Sequence, residues 1–220
     1  MKEITAPKSE VRTKLLDAAL RAIRSRGYTA TTVDEICRLA GVSKGSFFHY
    51  FPDKEALAVA AAEHFSTGAA AMFADARYRS EADARERALQ YVDLRAAMLA
   101  GDFADFTCLL GTMVQETYAT HPAIREACDE GIRVHADDVA HDLEAAKRAY
   151  APDAPWTAQS MALFTQAVIQ GAFILAKAHD DPAVGADCIA HLRRYLETQL
   201  PNTSTDDGEN HHATEREFPR

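Results

Sequence analysis

TTVDEICRLAGVSKGSFFHYFPDKEAL, residues 31–57, packs two short helix signals and the start of a third around one glycine-marked turn. Thr32 followed three residues later by Glu35 has the spacing of a capping box, which predicts a helix from Val33 to about Ala40 with Gly41 as its C′ residue. Ser43 then caps a further helix near 44–50. On that helix Phe47 and Phe51 share a face at i, i+4, while Lys44, Gly45, Ser46, His49 and Tyr50 project from the others. Such a helix is too aromatic for a solvent face and too polar for a core, so one side anchors and the other reads. Two short helices across a tight turn, the second with small and polar residues at its amino end, have the layout of a helix-turn-helix. Gly45 and Ser46 are small enough for a backbone to approach base edges, and Lys44 and His49 can donate hydrogen bonds in a major groove. Thr32, Tyr50 and Lys54 lie where phosphates would pass. Each has a plainer reading as a cap, a core tyrosine with a wet tip, or a solvated lysine.

Outward from this stretch the pattern stays helical. In residues 9–27, Val11, Leu15, Ala19 and Ile23 recur every four residues and Gly27 closes the run. Pro52 interrupts and Asp53 caps a helix expected to reach about Tyr78, followed by helices near 83–100, 103–118, 122–150, 155–180 and 183–199. No alternating strand pattern appears, so the expected class is all-α.

The chain of 220 residues carries a net charge of −9 that is unevenly spread. Residues 1–54 hold ten Lys/Arg against six Asp/Glu, and the rest hold 14 against 27. A basic piece on an acidic body is the footprint of phosphate contacts made at one end. Cys37, Cys108, Cys128 and Cys188 lack CxxC spacing, so neither a zinc ribbon nor a disulfide framework is expected. No P-loop or H-E-x-x-H occurs, and no catalytic residue, metal or cofactor is expected. His121, His135 and His141 form no H-x-x-x-H pair. With no signal-peptide core and no apolar run of about 18 residues, the expected place is the cytoplasm and no membrane partner is foreseen.

Residues 9–57 closely resemble the DNA-binding segment of the tetracycline-repressor (TetR) family, in the run T-x-x-x-I-A-x-x-A-G-V-S-K-G-x-x-Y-x-Y/H-F-x-x-K-E-x-L. The resemblance implies that Lys44, Gly45, Ser46 and His49 face bases while Thr32, Tyr50 and Lys54 meet the backbone of a double-stranded, palindromic operator. Two positions depart from the pattern: Cys37 stands where the family commonly has alanine, and Phe48 where a phosphate-contacting tyrosine is common. The resemblance divides the chain into a helix-turn-helix domain at 9–52 and a ligand-binding and dimerisation domain at 53–200, and the polar, aperiodic segment 201–220, with His211 and His212, is expected to be a disordered tail. It also implies a homodimer paired through its last two long helices. Met161, Phe164, Val168, Gly171, Leu175 and Ala178 supply a stripe for that pairing, as do Ile189, Leu192 and Leu196, although either could be an internal core face.

Thr107, Cys108, Leu109, Gly111 and Glu116, with Gly171, Ala172 and Lys177, resemble a TetR subgroup marked by G-C-L-x-G-x-x-x-E and G-A-x-x-x-A-K. Some of its members respond to reactive electrophiles through that cysteine. Cys108 is thereby a candidate sensor, activated if Lys177 approaches it, and otherwise an inert thiol among Phe106, Leu109 and Leu110. A small-molecule effector held without a bond could instead lie among Met98, Phe103, Phe106, Met113, Trp156, Phe164 and Phe173. The rival to a regulator is a helical interaction protein with a vestigial reading head.

Overall fold

The computed structural model describes residues 8–202, and among them every regular element is helical. The order is α1 (Lys8–Arg26), α2 (Val33–Ala40), α3 (Lys44–Tyr50), α4 (Lys54–Ala74), α5 (Ala84–Ala97), α6 (Phe103–Phe106), α7 (Leu109–Thr117), α8 (Pro122–Tyr150), α9 (Ala158–His179) and α10 (Pro182–Gln199), with 3-10 turns at Arg77–Ser80 and Met98–Ala100. Of the tail expected at 201–220, residues 203–220, His211 and His212 included, lie outside the described residues.

Local chemistry explains the boundaries. The hydroxyl of Thr32 accepts the Glu35 N–H, that of Ser43 accepts the Ser46 N–H, and the carboxylate of Asp53 accepts the Ala56 N–H. The capping box is only half made, because Glu35 turns its carboxylate to Arg26 at 2.6 Å instead of back to the Thr32 N–H. The helix expected over 103–118 breaks at Thr107 and Cys108, whose extended backbones separate α6 from α7. That break makes Cys108 the N-cap of α7, with Sγ accepting the Gly111 N–H at 3.5 Å.

Two hydrophobic cores result. One joins α1–α4 to α7 and α8, through Leu15, Ile23, Phe47, Leu57, Leu109 and Met113 among others. The other fills the space between α4, α5, α8, α9 and α10. Helix α9 corrects the expectation that no segment is long and apolar enough to cross a membrane, since by length and composition it is; 44% of its most apolar window is buried, against α8 and α10. The α9 stripe is divided by the fold: Met161 is buried, whereas Phe164 and Leu175 stand outside, 42% exposed each. Ile189, Leu192 and Leu196 are buried within the subunit, so the α10 stripe is a core face and not a pairing surface.

In the second core, His135 of α8 stacks on Phe73 with centroids 4.7 Å apart and lies 2.9 Å from the Tyr91 hydroxyl. Burial, with the nearby charges of Arg95 and Arg79, pushes its pKa down from 6.5 to about 4. The folded state therefore resists a proton that the unfolded chain accepts near pH 6.5. Stability should fall as pH drops from about 6.5 towards 4, by on the order of 3 kcal/mol from this residue. Urea midpoints measured across that window should show the loss in the wild type and a shallower slope in His135→Gln.

Candidate nucleic-acid interface and sensing joint

Helix α3 seats itself by burying Phe47 and Phe51, whose rings lie 5.9 Å apart, and so turns its remaining residues outward. Lys44, Gly45, Phe48 and His49 are exposed, and Ser46 and Tyr50 are half-buried. A Cβ on Gly45 would meet only the Ser43 hydroxyl, at 3.7 Å, so internal packing gives no reason for glycine there. Lys44 reaches Asp34 of α2 at 2.5 Å, an exposed pair that contributes little to stability and can be exchanged for an anion. The ring of His49 lies edge-on to that of Tyr50 at 4.9 Å. Thr32 is exposed with its oxygen occupied by the Glu35 N–H, leaving the hydroxyl proton outward. Phe48, 56% exposed, adds an apolar group to this face that a thymine methyl could meet.

Lys54 behaves differently. Its ammonium donates to the carbonyls of Tyr28 and Thr31, 3.1 Å each, and lies 4.1 Å from the centroid of the Tyr28 ring. Burial pulls its pKa down from the ordinary lysine value while the charge of Glu116 opposes the shift. The first task of Lys54 is thus to hold the turn after α1, and one of its three protons remains for a phosphate.

That turn is also where α1 meets α7. The Glu116 carboxylate accepts the Tyr28 and Thr29 N–H groups at 3.1 and 2.8 Å. From the last turn of α1, Arg24 donates to the carbonyls of Thr107, at 2.6 Å, and of Asp105. Cys108 follows directly, half-buried, and its charge is among those that favour the Arg24 cation against the pull of burial. The expected partner of Cys108 is corrected accordingly. Lys177 spends a proton on the Arg24 carbonyl at 3.2 Å, and the cation whose field reaches the thiol is Arg24. Nothing in the sequence marked Arg24, because it lies 84 positions away and reads as a solvated face of α1.

The other sensing candidates separate. Phe106 and Phe173 are buried together in the second core, their rings tilted at 51° with centroids 5.4 Å apart, whereas Met113 belongs to the first core with Cys108. Phe164 is on the surface, so the apolar residues proposed as one pocket do not line one cavity. Cys128 is fully buried in the first core, where desolvation and then the nearby charge of Cys108 push its thiol up to about 12. Cys188 packs against the second core, away from both. Among the described residues no group of three or more His, Cys, Asp or Glu side chains gathers to hold a metal.

Comparison with known proteins gives this geometry a context. Residues 15–61 match the model of the tetR family of bacterial regulatory proteins, and residues 84–184 match that of the C-terminal domain of LmrA/YxaF-like transcriptional regulators. The transcriptional repressor NemR of Escherichia coli (strain K12) is 28% identical over 124 residues, which is 56% of this chain and 62% of NemR. The repressor KstR2 of Rhodococcus jostii is 45% identical over 53 residues, 24% of this chain and 26% of KstR2. The chain thus spans less than two thirds of the length of these curated relatives. The crystal structure of reduced E. coli NemR superposes with a TM-score of 0.71 at 25% identity, covering 84% of this chain and 96% of that one. A TetR transcriptional regulator from Chloroflexus aurantiacus shares the fold, with a TM-score of 0.78 at 20% identity over 88% and 97% of the two chains.

The two glycines of this region should separate in a stability measurement. Gly27 has φ +89°, and a Cβ there would lie 2.1 Å from a Glu116 carboxylate oxygen, so Gly27→Ala should lose more than about 1 kcal/mol. Gly45→Ala, in an open helical position, should be neutral or gain up to about 1 kcal/mol. Urea denaturation of the two variants beside the wild type reads both.

Proposed function

The chain belongs to the TetR family of bacterial regulatory proteins, and from that premise we propose that it is a cytoplasmic, homodimeric transcriptional repressor that releases its operator when Cys108 reacts with an electrophile. The observation that carries this reading is the double role of α7. Its N-cap is the thiol, and its Glu116 holds the end of α1 in place.

In this reading α3 enters the major groove, with Lys44, Gly45, Ser46 and His49 at base edges and Thr32, Tyr50 and a proton of Lys54 at phosphates. Two heads are needed for half-sites about 34 Å apart, which calls for a dimer. The outward residues of α9, Phe164 and Leu175 beside the half-buried Gly171, are apolar enough to pair across a two-fold axis. At Cys108 a negative sulfur would meet the Arg24 charge and the Gly111 N–H. With an unsaturated aldehyde or quinone, the thiol yields its proton to water and the sulfur lone pair forms a bond to the β-carbon. The C=C π pair moves to the carbonyl side, and a proton from water completes the adduct. The added bulk lies beside the carbonyls that hold Arg24, so it displaces α1 and with it the head. About 1–3 kcal/mol of such coupling weakens operator binding roughly 5- to 150-fold.

Fluorescence anisotropy on the DNA upstream of the gene, with unlabelled random duplex as competitor, tests the reading. Selective binding should be lost on treatment with a small quinone, retained in treated Cys108→Ser, and weakened at least about tenfold in Gly45→Ala although that variant stays folded. Selective binding indifferent to the quinone would move the search to a reversible effector; absence of selective binding, also after selection from random sequence, would favour an interaction protein with a vestigial head.

A further inference from the structure

Arg95 of α5 is buried, 6% exposed, and among the described residues no carboxylate pairs with it. Its Nε has no hydrogen-bond partner, and one terminal nitrogen reaches only the Tyr91 hydroxyl, at 3.4 Å. The guanidinium is boxed by aromatic faces, its carbon 5.4, 6.0 and 5.3 Å from the ring centroids of Phe73, Tyr91 and Phe173. Aromatic faces recover part of the charge's lost hydration, but they offer no acceptor to a five-donor fork. A buried guanidinium without an anion is costly, and chains that keep one in a core seldom do so for stability.

The neighbouring polar groups point the same way. Gln166 of α9 donates to the Tyr91 oxygen at 2.7 Å, as does Arg95, so the Tyr91 proton goes to His135, whose low pKa leaves it neutral and able to accept. The lone pairs of the Tyr91 oxygen and of the His135 Nε2 are thereby spent within the cluster, and the Arg95 Nε finds no acceptor there. Thr165, beside Gln166 on α9, has a buried hydroxyl with no partner. It borders, with Tyr78, Arg79, Tyr91 and Asp142, a narrow opening that as it stands is too small for a guest.

We propose that Arg95 anchors the carboxylate of a small organic acid with an apolar body, bound in the second core between α5 and α9. The guanidinium fork would take both carboxylate oxygens, and the Phe73, Phe106 and Phe173 rings would enclose the apolar part. Little free volume lies here, and α5 and α9 each pack on α8 and α10, so the guest enters by spreading that bundle. This deepens the regulatory reading, and only its consequence for DNA rests on that reading.

The test measures binding on the full chain without DNA. Benzoate and hexanoate, titrated by calorimetry and followed by thermal shift, should bind and raise Tm; benzamide and hexanamide, which lack the charge, should not. Arg95→Met should abolish carboxylate binding while keeping or raising the Tm of the ligand-free protein, because it removes an uncompensated charge at similar length. Arg95→Lys, which keeps the charge and loses the fork, should bind at least about tenfold more weakly and serves if the methionine variant fails to fold. Carboxylate binding that survives in both variants, or no carboxylate binding by the wild type, overturns the proposal, as does equal binding of the amides. A second titration against operator-bound protein then asks whether benzoate releases DNA. Binding without release would retain the site and count against the regulatory coupling alone.

Discussion

The turn between α1 and α2 is the constraint on which the arrangement depends, because several independent contacts converge on about five residues. Glu116 takes two of its N–H groups, Lys54 takes two of its carbonyls, and Gly27 at φ +89° brings the backbone close enough for both. The charges match the dipoles at this place: a carboxylate sits on N–H groups and an ammonium on carbonyls, each a charge-assisted bond. Neither partner is local, since Glu116 comes from α7 and Lys54 from α4. The position of α2 and α3 is thus set from two other helices at once, and in the proposed mechanism a shift of α7 would reach the exposed face of α3 through these bonds.

What was legible in the sequence follows from how local the causes are. Thr32, Ser43 and Asp53 cap helices through bonds to residues three positions on, so their helix starts could be read directly. The anchoring pair Phe47 and Phe51 was equally plain, because i, i+4 spacing on a helix needs no knowledge of the rest of the fold. The break at Thr107 and Cys108 was hidden, since both residues sit in an apolar run whose periodicity continues past them. Arg24 was hidden for another reason. Its role comes from carbonyls more than 80 residues away, and on its own helix it has the signature of a solvated arginine. The stripe on α9 was seen but not its sidedness, because a helix with apolar residues on two faces has two candidate interiors and only its packing chooses between them.

Helix α9 is the element on which these parts meet. Its inner face supplies Gln166 and Phe173 to the polar cluster around Arg95, while its outer face carries Phe164 and Leu175. Towards α7 it sets Gln170 so close to Gly111 that a Cβ there would fall 2.7 Å from the amide oxygen, and near its end Lys177 bonds the Arg24 carbonyl of α1. A core packed this densely does not absorb a displacement smoothly; it moves by sliding whole helices by an ångström or two. Spreading the bundle of α5, α8, α9 and α10 would therefore carry Gln170 and Lys177 along, and with them the two contacts that tie α9 to α7 and α1. The proposed chemical event at Cys108 would act on α7 and α1 from the other side. Two chemically unlike signals, one covalent at the N-cap of α7 and one ionic at Arg95, would then converge on a single joint. The conflict stored in the second core, a guanidinium held without its anion, is what gives the ionic signal free energy to act with.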